Sequence, residues 1–145
     1  MSILIRLANL DDAQTIRELN SKSLGYDYPL ESTYDKLKTA LNNPNIRIYV
    51  AEINDKVVGY VHAQNYDVLY ASHCKDVLGL AVDSKCQRMG IGRELMKAIE
   101  IWAKDTGADF VRLVSGANRV KAHQFYQACG YNGGKQQINF KKYIN

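Results

Sequence analysis

Short apolar runs between polar positions predict the strands of this protein. Residues 46–52 alternate apolar and polar positions like a half-buried strand, and after the turn Asn54-Asp55 a second run returns as the other arm of a hairpin. The polar, tyrosine-rich residues 65–73 predict a loop. The predicted strands are residues 3–7, 46–52, 57–64, 77–82 and 110–114, with a last strand formed by Tyr131 and residues 136–143.

Apolar residues three or four positions apart predict four helices. Asn9 is suited to cap the first helix, and Asp11 and Asp12 follow where the helix dipole favours acidic side chains. Gly130 is a natural end for the last helix, because glycine adopts the left-handed backbone of a C-terminal cap. The predicted helices are residues 9–23, 30–42, 91–106 and 119–129.

The order of these elements predicts a mixed sheet with helices on its faces. A strand, a helix and a strand follow one another between Val77 and Val114, which implies a parallel pair joined by a right-handed crossover. The hairpins elsewhere are antiparallel. We therefore expect an α/β fold, α+β by strict class, with a mostly antiparallel sheet around a central parallel pair. A length of 145 residues fits a single domain, residues 1–145.

Charge and composition argue against several classes of protein. The 19 basic and 15 acidic residues give a net charge of +4, and they are scattered, whereas a nucleic-acid-binding protein concentrates its basic residues in a stripe. No apolar run approaches the length of a membrane-spanning helix, and the N-terminus lacks the apolar core of a signal peptide. Three widely spaced cysteines fit a reducing cytoplasm and argue against a disulfide framework or a zinc site. We therefore expect a cytoplasmic protein without nucleic-acid or membrane partners.

Residues 77–102 combine a strand, a glycine-bearing loop and a helix start, which together favour binding of a phosphate group. The first turn of a helix presents unpaired N–H groups and a partial positive charge, and Gly90 and Gly92 let a ligand approach the backbone. Arg88 and Arg93 add positive charge. The stretch lacks the P-loop signature and the full dinucleotide fingerprint. A glycine-bearing helix start without a ligand is the alternative.

Two motifs resemble the signatures of the Gcn5-related N-acetyltransferase (GNAT) superfamily. The pattern Gln87-x-x-Gly90-x-Gly92 is similar to the family's coenzyme A loop, although Arg88 stands where a glycine is usual. Residues 118–131 are similar to a second signature, Asn-x-x-Ala-x-x-Phe-Tyr followed by Gly-Tyr. The same region looks most like the small branch that contains aminoalkylphosphonate and some aminoglycoside acetyltransferases.

The resemblance implies that the chain binds acetyl-coenzyme A (acetyl-CoA). In the family, the pantetheine arm lies along the strand before the loop, and the pyrophosphate lies at the helix start. Gly79 is unusual inside an apolar strand and predicts either a bulge that separates this strand from its parallel neighbour or a point of tight packing. The residues that the resemblance places at the cofactor are Leu80, Ala81, Val82, Gln87, Arg88, Met89, Gly90, Ile91, Gly92, Arg93, Asn118 and Tyr126.

The implied reaction moves an acetyl group from a thioester to a primary amine. Tyr126 is the candidate acid that protonates the departing thiolate, and a core tyrosine is the alternative. The family often places an acidic residue on strands beside the acceptor, which makes Glu52 and Asp76 candidate bases together with His73; the alternative is a solvated charge at a strand edge. Asn118 resembles a cofactor-binding asparagine and is also placed to cap the last helix.

The acceptor is expected to be a small, cationic or zwitterionic amine; the alternative is that the tyrosines of residues 25–29 and 65–70 only cover the edge of the core. Residues 25–29 and 65–70 are rich in tyrosine and carry Asp27 and Asp67, and both carboxylates and tyrosine faces attract cations. The expected function is therefore transfer of acetyl from acetyl-CoA to a primary amine of a small molecule. A protein-directed acetyltransferase and a non-catalytic acyl-CoA-binding module are the alternatives. Small members of the family often dimerise, so a homodimer is one possible state.

Overall fold

The computed structural model describes residues 2–145. The chain forms two compact units, one ending at Leu113 and the other beginning at Val114. The sheet and three helices belong to the first unit, and one helix belongs to the second. The expectation of a single domain stays a prediction. Within residues 2–145, every helix is too short or too polar to cross a bilayer.

Five strands form one sheet in which the order in space follows the order in sequence. They are β1 (Leu4–Leu7), β2 (Ile46–Ile53), β3 (Lys56–Tyr66), β4 (Cys74–Val82) and β5 (Phe110–Leu113). Neighbouring strands run antiparallel except β4 and β5, which run parallel. The predicted mixed, mostly antiparallel sheet is confirmed. Among the described strands its parallel pair lies at the β5 edge, whereas a central pair was expected, because no described strand pairs with the other side of β5.

Four α-helices lie within the described residues, as predicted. They are α1 (Ala13–Leu19), α2 (Leu30–Leu41), α3 (Ile91–Asp105) and α4 (Val120–Ala128). The predicted first helix is divided into a 3-10 turn (Leu10–Asp12), α1 and a π-helical turn (Asn20–Leu24). Asn9 caps its start, because the Asn9 side chain accepts the Asp11 N–H at 2.9 Å.

Apolar side chains cover both faces of the sheet. Side chains alternate across a strand, so Tyr60 and His62 of β3 face one side and Val61 and Ala63 face the other. The Tyr60 side packs against α1 and α2, with a core of Ala8, Ala13, Ile16, Leu19, Leu37, Ile48, Val50, Tyr60 and Ala81. On the other side, α3 buries Ile91, Leu95, Met96, Ile99, Trp102 and Ala103.

The hairpin of β3 and β4 is longer than the sequence pattern predicts. A loop was expected at residues 65–73, but β3 continues to Tyr66 and β4 begins at Cys74. Asn65 pairs with Lys75 in the ladder, and the Lys75 ammonium lies 4.0 Å from the centre of the Trp102 ring. Burial lowers the pKa of Lys75. The ends of these strands are polar residues that are buried through contacts such as Lys75 with Trp102. They therefore lack the apolar pattern from which a strand is predicted.

The prediction of a last strand at residues 136–143 is wrong. Residues 131–145 form neither helix nor strand, and the side chains of Ile138 and Phe140 are 78% and 88% exposed. Two alternating apolar residues form a strand only when a neighbouring strand takes their backbone hydrogen bonds. Within residues 2–145 no strand pairs with them.

Candidate active site

A bulge in β4 marks the point where this strand leaves β5. Gly79 lies opposite His62, and Val77 lies opposite Ala63, so Leu78 is an extra residue in β4. The parallel pairing with β5 ends at Val77. The bulge that Gly79 predicts is therefore confirmed, and residues 78–82 extend beyond β5.

Past the bulge, β4 presents backbone groups on the side away from β3. The Asp83 N–H donates to the Val58 carbonyl of β3 at 2.8 Å. Because backbone groups alternate in direction along a strand, Ala81 also faces β3, whereas Leu80 and Val82 turn their N–H and C=O groups the other way. Among the described residues, no strand pairs with β4 on that side past the bulge. A ligand with amide groups can therefore pair there as an added strand.

The loop after β4 enters α3 through two residues with left-handed backbone. Arg88 has a φ of 68° and Gly90 a φ of 83°, and Gly90 is the N-terminal cap of α3. The first helical hydrogen bond runs from the Glu94 N–H to the Gly90 carbonyl at 3.0 Å. The N–H groups of Ile91 and Gly92 precede that bond and point out of the helix end, where the helix dipole adds partial positive charge. This end of α3 suits a pyrophosphate group.

Some of the predicted cofactor residues can offer their side chains to a ligand, and others can offer only their backbone. The side chains of Gln87, Arg88, Met89 and Arg93 are exposed, so the polar ones can turn toward an anion. The Ile91 side chain is 1% exposed, which limits its contribution to the backbone N–H.

Ala81 is, besides Ile91, the other buried residue among the predicted cofactor residues. Its side chain is 3% exposed, and its backbone faces β3. Leu80 and Val82 are therefore better placed than Ala81 to pair with the pantetheine arm.

A glycine in β3 allows α3 to lie close to the sheet. A Cβ atom at Gly59 would lie 3.1 Å from the Ala81 carbonyl oxygen, 3.2 Å from Ile91 Cγ2 and 3.3 Å from Leu95 Cδ1. All three separations are shorter than ordinary van der Waals contact. Because Ile91 and Leu95 lie at the start of α3, Gly59 sets the distance between the sheet and the N-terminal end of this helix.

The segment after α1 is bonded to the far end of β4. The Ser23 hydroxyl donates to the Val82 carbonyl at 3.0 Å. Two residues beyond Leu24, the Tyr26 N–H donates to the Asn20 carbonyl at 3.0 Å. These bonds hold the start of the tyrosine-bearing loop, residues 25–29, beside the open edge of β4.

The two acidic candidates for the base are both paired with arginine. Arg6 Nε donates to the Glu52 carboxylate, and its terminal nitrogens donate to both Asp12 carboxylate oxygens at 2.8 and 2.9 Å. Burial acts to raise the pKa of Asp12, but hydrogen bonds from Arg6 and a backbone N–H hold that pKa below its usual range. Asp76 accepts from Arg112 Nη1 at 3.0 Å. Each candidate carboxylate therefore has a fixed cationic partner.

The acids of the predicted acceptor segments also have partners. Asp67 Oδ1 lies 2.7 Å from His73 Nδ1, and His73 Nε2 lies 3.2 Å from Lys75 Nζ. Asp27 accepts from Arg17 at 3.3 Å, and its side chain is 84% exposed. A long, exposed ion pair contributes little stability, so Asp27 can exchange its partner for a cationic ligand.

Tyr126, the candidate acid, lies on α4 in the second unit. Its half-buried ring packs edge to face on Phe125 and Tyr131, with ring centres 5.1 and 6.3 Å away. Burial raises the pKa of the phenol, and Arg119 opposes part of that effect. The phenol is therefore protonated at neutral pH, as a proton donor must be.

Asn118 does not cap α4. The N-terminal cap is Arg119, without a side-chain capping bond. In the sequence, Asn118 precedes Ala122 by four residues, one more than in the family signature, so Arg119 occupies the signature's asparagine position. A cofactor contact for Asn118 stays a prediction.

Two polar residues of β3 on the α1 and α2 side were not identified from the sequence. The Tyr60 hydroxyl donates to the Asn20 side chain, and burial raises the pKa of Tyr60 to about 12. His62 Nε2 is buried and has no hydrogen-bond partner among the described residues, and burial lowers the pKa of His62. The alternation along β3 could have given the face of both residues, but not the register that places His62 beside the bulge.

Comparisons with known proteins identify the family of this chain. The profile described as "Acetyltransferase (GNAT) family" matches residues 13–131. The aminoalkylphosphonate N-acetyltransferase of Salmonella typhimurium is 26% identical over 129 residues, covering 88% of this chain and 83% of that protein. An uncharacterised N-acetyltransferase of Methanocaldococcus jannaschii is 27% identical over 135 residues, covering 92% and 80% of the two chains.

Solved structures with the same fold include aminoglycoside acetyltransferases. AAC(6')-Iy in complex with the bisubstrate analogue CoA-S-monomethyl-acetylneamine superposes with a TM-score of 0.88 at 17% identity, covering 99% of this chain and 100% of that one. The same enzyme in complex with CoA gives a TM-score of 0.88 at 16% identity, with coverage of 99% and 96%. The chain in which β4 separates from β5 and the N-terminus of α3 is open is matched over most of its length by the family profile. The protein belongs to the acetyltransferase (GNAT) family.

Proposed function

We propose that this protein transfers the acetyl group of acetyl-CoA to a primary amine of a small molecule. The observation that carries the proposal is the separation of β4 from β5, followed directly by the open N-terminus of α3. The strand edge suits a ligand arm with amide groups, and the helix end suits its pyrophosphate. Acetyl-CoA has both features and is the acyl donor that membership of this family implies.

The chain's own residues would hold the cofactor in two places. The outward N–H groups of Leu80 and Val82 and the C=O group of Leu80 would pair with the amides of the pantetheine arm. The Val82 C=O group already accepts from the Ser23 hydroxyl. The N–H groups of Ile91 and Gly92 would donate to the pyrophosphate, with Arg88 adding positive charge. Because these groups lie on a strand and a helix start, they are fixed before the cofactor arrives.

Acetyl-CoA supplies an activated thioester. An outward N–H at the open edge of β4 would stabilise the negative charge that develops on the carbonyl oxygen, and one such donor is typically worth ~3 kcal/mol. Tyr126 would donate its proton to the departing sulfur. A protonated phenol can do so because a thiolate, whose conjugate acid has a pKa of about 8.5, is basic enough to accept a proton at close range.

A small polar amine is the acceptor class that the loop after α1 supports. Tyr26 and Tyr28 are 66% and 42% exposed, and Asp27 between them has only a long ion pair. An ammonium group can bind such carboxylate and aromatic groups. Aminoalkylphosphonates and aminoglycosides, which appear in the names of the relatives above, are polar molecules with amino groups.

An acceptor panel tests this proposal. Release of free CoA from acetyl-CoA would be followed with aminoalkylphosphonates, aminoglycosides, polyamines, arylamines and lysine-containing peptides as acceptors. We expect turnover with small polar amines and little with arylamines or peptides. Turnover confined to peptides would support the protein-directed alternative, and tight CoA binding without turnover on any amine would support the non-catalytic one.

A further inference from the structure

We propose that the imidazole of His62 takes the proton from the acceptor amine during acetyl transfer, an inference that rests on the function proposed above. No sequence motif points to His62. The inference comes from its position in the sheet, from its unpaired ring nitrogen and from the ion pairs that engage the carboxylates nearby.

His62 lies beside the point where β4 leaves β5. It is paired with Gly79, the residue that follows the extra residue of the bulge. Glycine has no side chain, so the His62 ring has no cross-strand side-chain neighbour on β4. One position along, Leu80 begins the open edge proposed to hold the pantetheine arm. His62 and Tyr60 are therefore the two ionisable side chains of β3 that flank the position of Leu80 in the register, and the Tyr60 hydroxyl is already bonded to Asn20.

His62 also faces the side of the sheet from which the acceptor is proposed to enter. It shares a face with Tyr60, whose hydroxyl bonds Asn20 of the π-helical turn. Tyr26 of the adjoining loop is near enough to influence the ionisation of Tyr60 electrostatically. The loop proposed to bind the amine and the His62 ring thus border the same side of β3.

The unpaired nitrogen of His62 is unusual for a buried polar atom. The large majority of buried side-chain nitrogens and oxygens have a hydrogen-bond partner. His62 Nε2 has none among the described residues, while the ring as a whole is partly exposed. A bound amine, or a water between it and the ring, would provide the missing partner.

His62 is neutral at neutral pH, as a base must be. Burial lowers the pKa of His62. The charged groups on this face of the sheet are the Asp76–Arg112 pair and the Arg6–Asp12–Glu52 cluster. The phenols of Tyr26, Tyr60 and Tyr66 and the thiol of Cys74 are the other titratable groups on this side. All three carboxylates are bonded to arginines, so a proton taken by any of them would cost an ion pair. His62 can accept a proton without breaking any bond that the structure records.

The acceptor, bound as an ammonium ion, first gives one proton to a ring nitrogen of His62, which releases it to solvent. The neutral amine nitrogen then forms a bond to the thioester carbonyl carbon and gives a second proton to His62. The carbon–sulfur bond breaks, its electron pair leaves with sulfur, and sulfur takes the proton of Tyr126. His62 then returns its proton to solvent, and Tyr126 regains one.

The pH dependence of kcat/KM separates a base from a structural residue. In the wild type, the acceptor can bind as an ammonium ion, so kcat/KM should rise only as His62 loses its proton, below its ordinary pKa of about 6.5, and should be level above pH 7. In His62→Gln, the amine must lose its own proton, with a pKa of about 10 for a simple alkylamine. We expect kcat/KM about 10²- to 10⁴-fold lower at pH 7, with the deficit shrinking roughly tenfold per pH unit toward pH 9.

Controls keep the interpretation distinct from misfolding and from failure of the proposed function. CoA affinity by calorimetry and the thermal midpoint should match the wild type in His62→Gln and in His62→Asn, and His123→Gln should keep the wild-type profile. A His62 variant that binds CoA normally but shows wild-type activity, or a deficit that is constant with pH, refutes the role of His62 alone. A wild type that binds CoA but acetylates no amine refutes the proposed function and the His62 proposal together.

Discussion

Replacing Gly59 with alanine would test whether the distance between β3 and α3 controls cofactor binding. The new Cβ would lie 3.1 to 3.3 Å from atoms of Ala81, Ile91 and Leu95. Adding a methyl group to a packed site costs about 1–3 kcal/mol, and replacing glycine returns about 0.4–1 kcal/mol through the unfolded chain. We therefore expect Gly59→Ala to lower the free energy of unfolding by about 1–2 kcal/mol.

The effect of Gly59→Ala on CoA binding depends on which of the atoms close to the new Cβ can move away. The Ala81 carbonyl is held in the ladder with β3, whereas Ile91 and Leu95 belong to the start of α3, which has solvent on one side. Relief of the contact would therefore displace the helix end that presents the N–H groups of Ile91 and Gly92. If about 1.4 kcal/mol of binding is lost, CoA affinity falls tenfold.

Thermal unfolding and calorimetry with CoA measure the two effects. We expect the midpoint of unfolding to fall by about 3–6 °C in a chain of this size and the dissociation constant for CoA to rise about tenfold. Gly133→Ala is the matched control, because a Cβ there meets nothing within 4 Å. If Gly59→Ala has the midpoint and CoA affinity of the wild type, Gly59 does not set the position of α3.

Three further substitutions test other parts of the site. Gly92→Asp should abolish CoA binding by calorimetry while the circular dichroism spectrum is unchanged, because its carboxylate would repel the pyrophosphate; unchanged affinity would exclude this helix end as the anion site. Tyr126→Phe should lower kcat by roughly 10- to 1000-fold with little change in the KM for acetyl-CoA, and a wild-type kcat in the folded variant would make Tyr126 structural. Asp12→Asn should destabilise the protein by about 1–3 kcal/mol at neutral pH. The folded-state pKa of Asp12 is depressed, so the stability that Asp12 contributes is present above its unfolded pKa and is lost as the pH falls through its folded pKa. In urea unfolding at several pH values, the difference in stability between Asp12→Asn and the wild type should therefore narrow toward low pH. A difference that is constant with pH would contradict the ion-pair explanation.

Local patterns in the sequence correctly predicted the five strands of the mixed sheet, the four helices and the bulge, whereas the cofactor-binding residues stay a prediction. The hairpin at Asn54-Asp55, the strand–loop–helix at residues 77–102 and the bulge at Gly79 are each signalled by residues close together in the chain. The ends of β3 and β4 were missed because Asn65 and Lys75 are polar, and their burial depends on Trp102, which lies far along the chain. Local patterning cannot report such a contact.

The base proposed above could not be singled out from the sequence for a related reason. Glu52 and Asp76 lie on strands, as the resemblance requires, but their arginine partners, Arg6 and Arg112, come from other strands and become visible only in the register of the sheet. His62 is one polar position among several in an alternating strand. His62 differs from the other polar residues of β3 because it lies opposite Gly79. That position depends on how β3 pairs with β4 and cannot be read from the composition of β3.

The bond between the Ser23 hydroxyl and the Val82 carbonyl has a consequence for how acceptor specificity can change. It is a side-chain bond to backbone, so it anchors the loop that begins at Gly25 without depending on which side chains follow. Residues 26–28 are exposed and can be exchanged while Ser23, Gly25 and the backbone of β4 are unchanged. We expect a chimera that carries residues 26–28 of another acetyltransferase to keep its CoA affinity and to differ in the amines it accepts, which would make this loop a natural place to diversify in directed evolution.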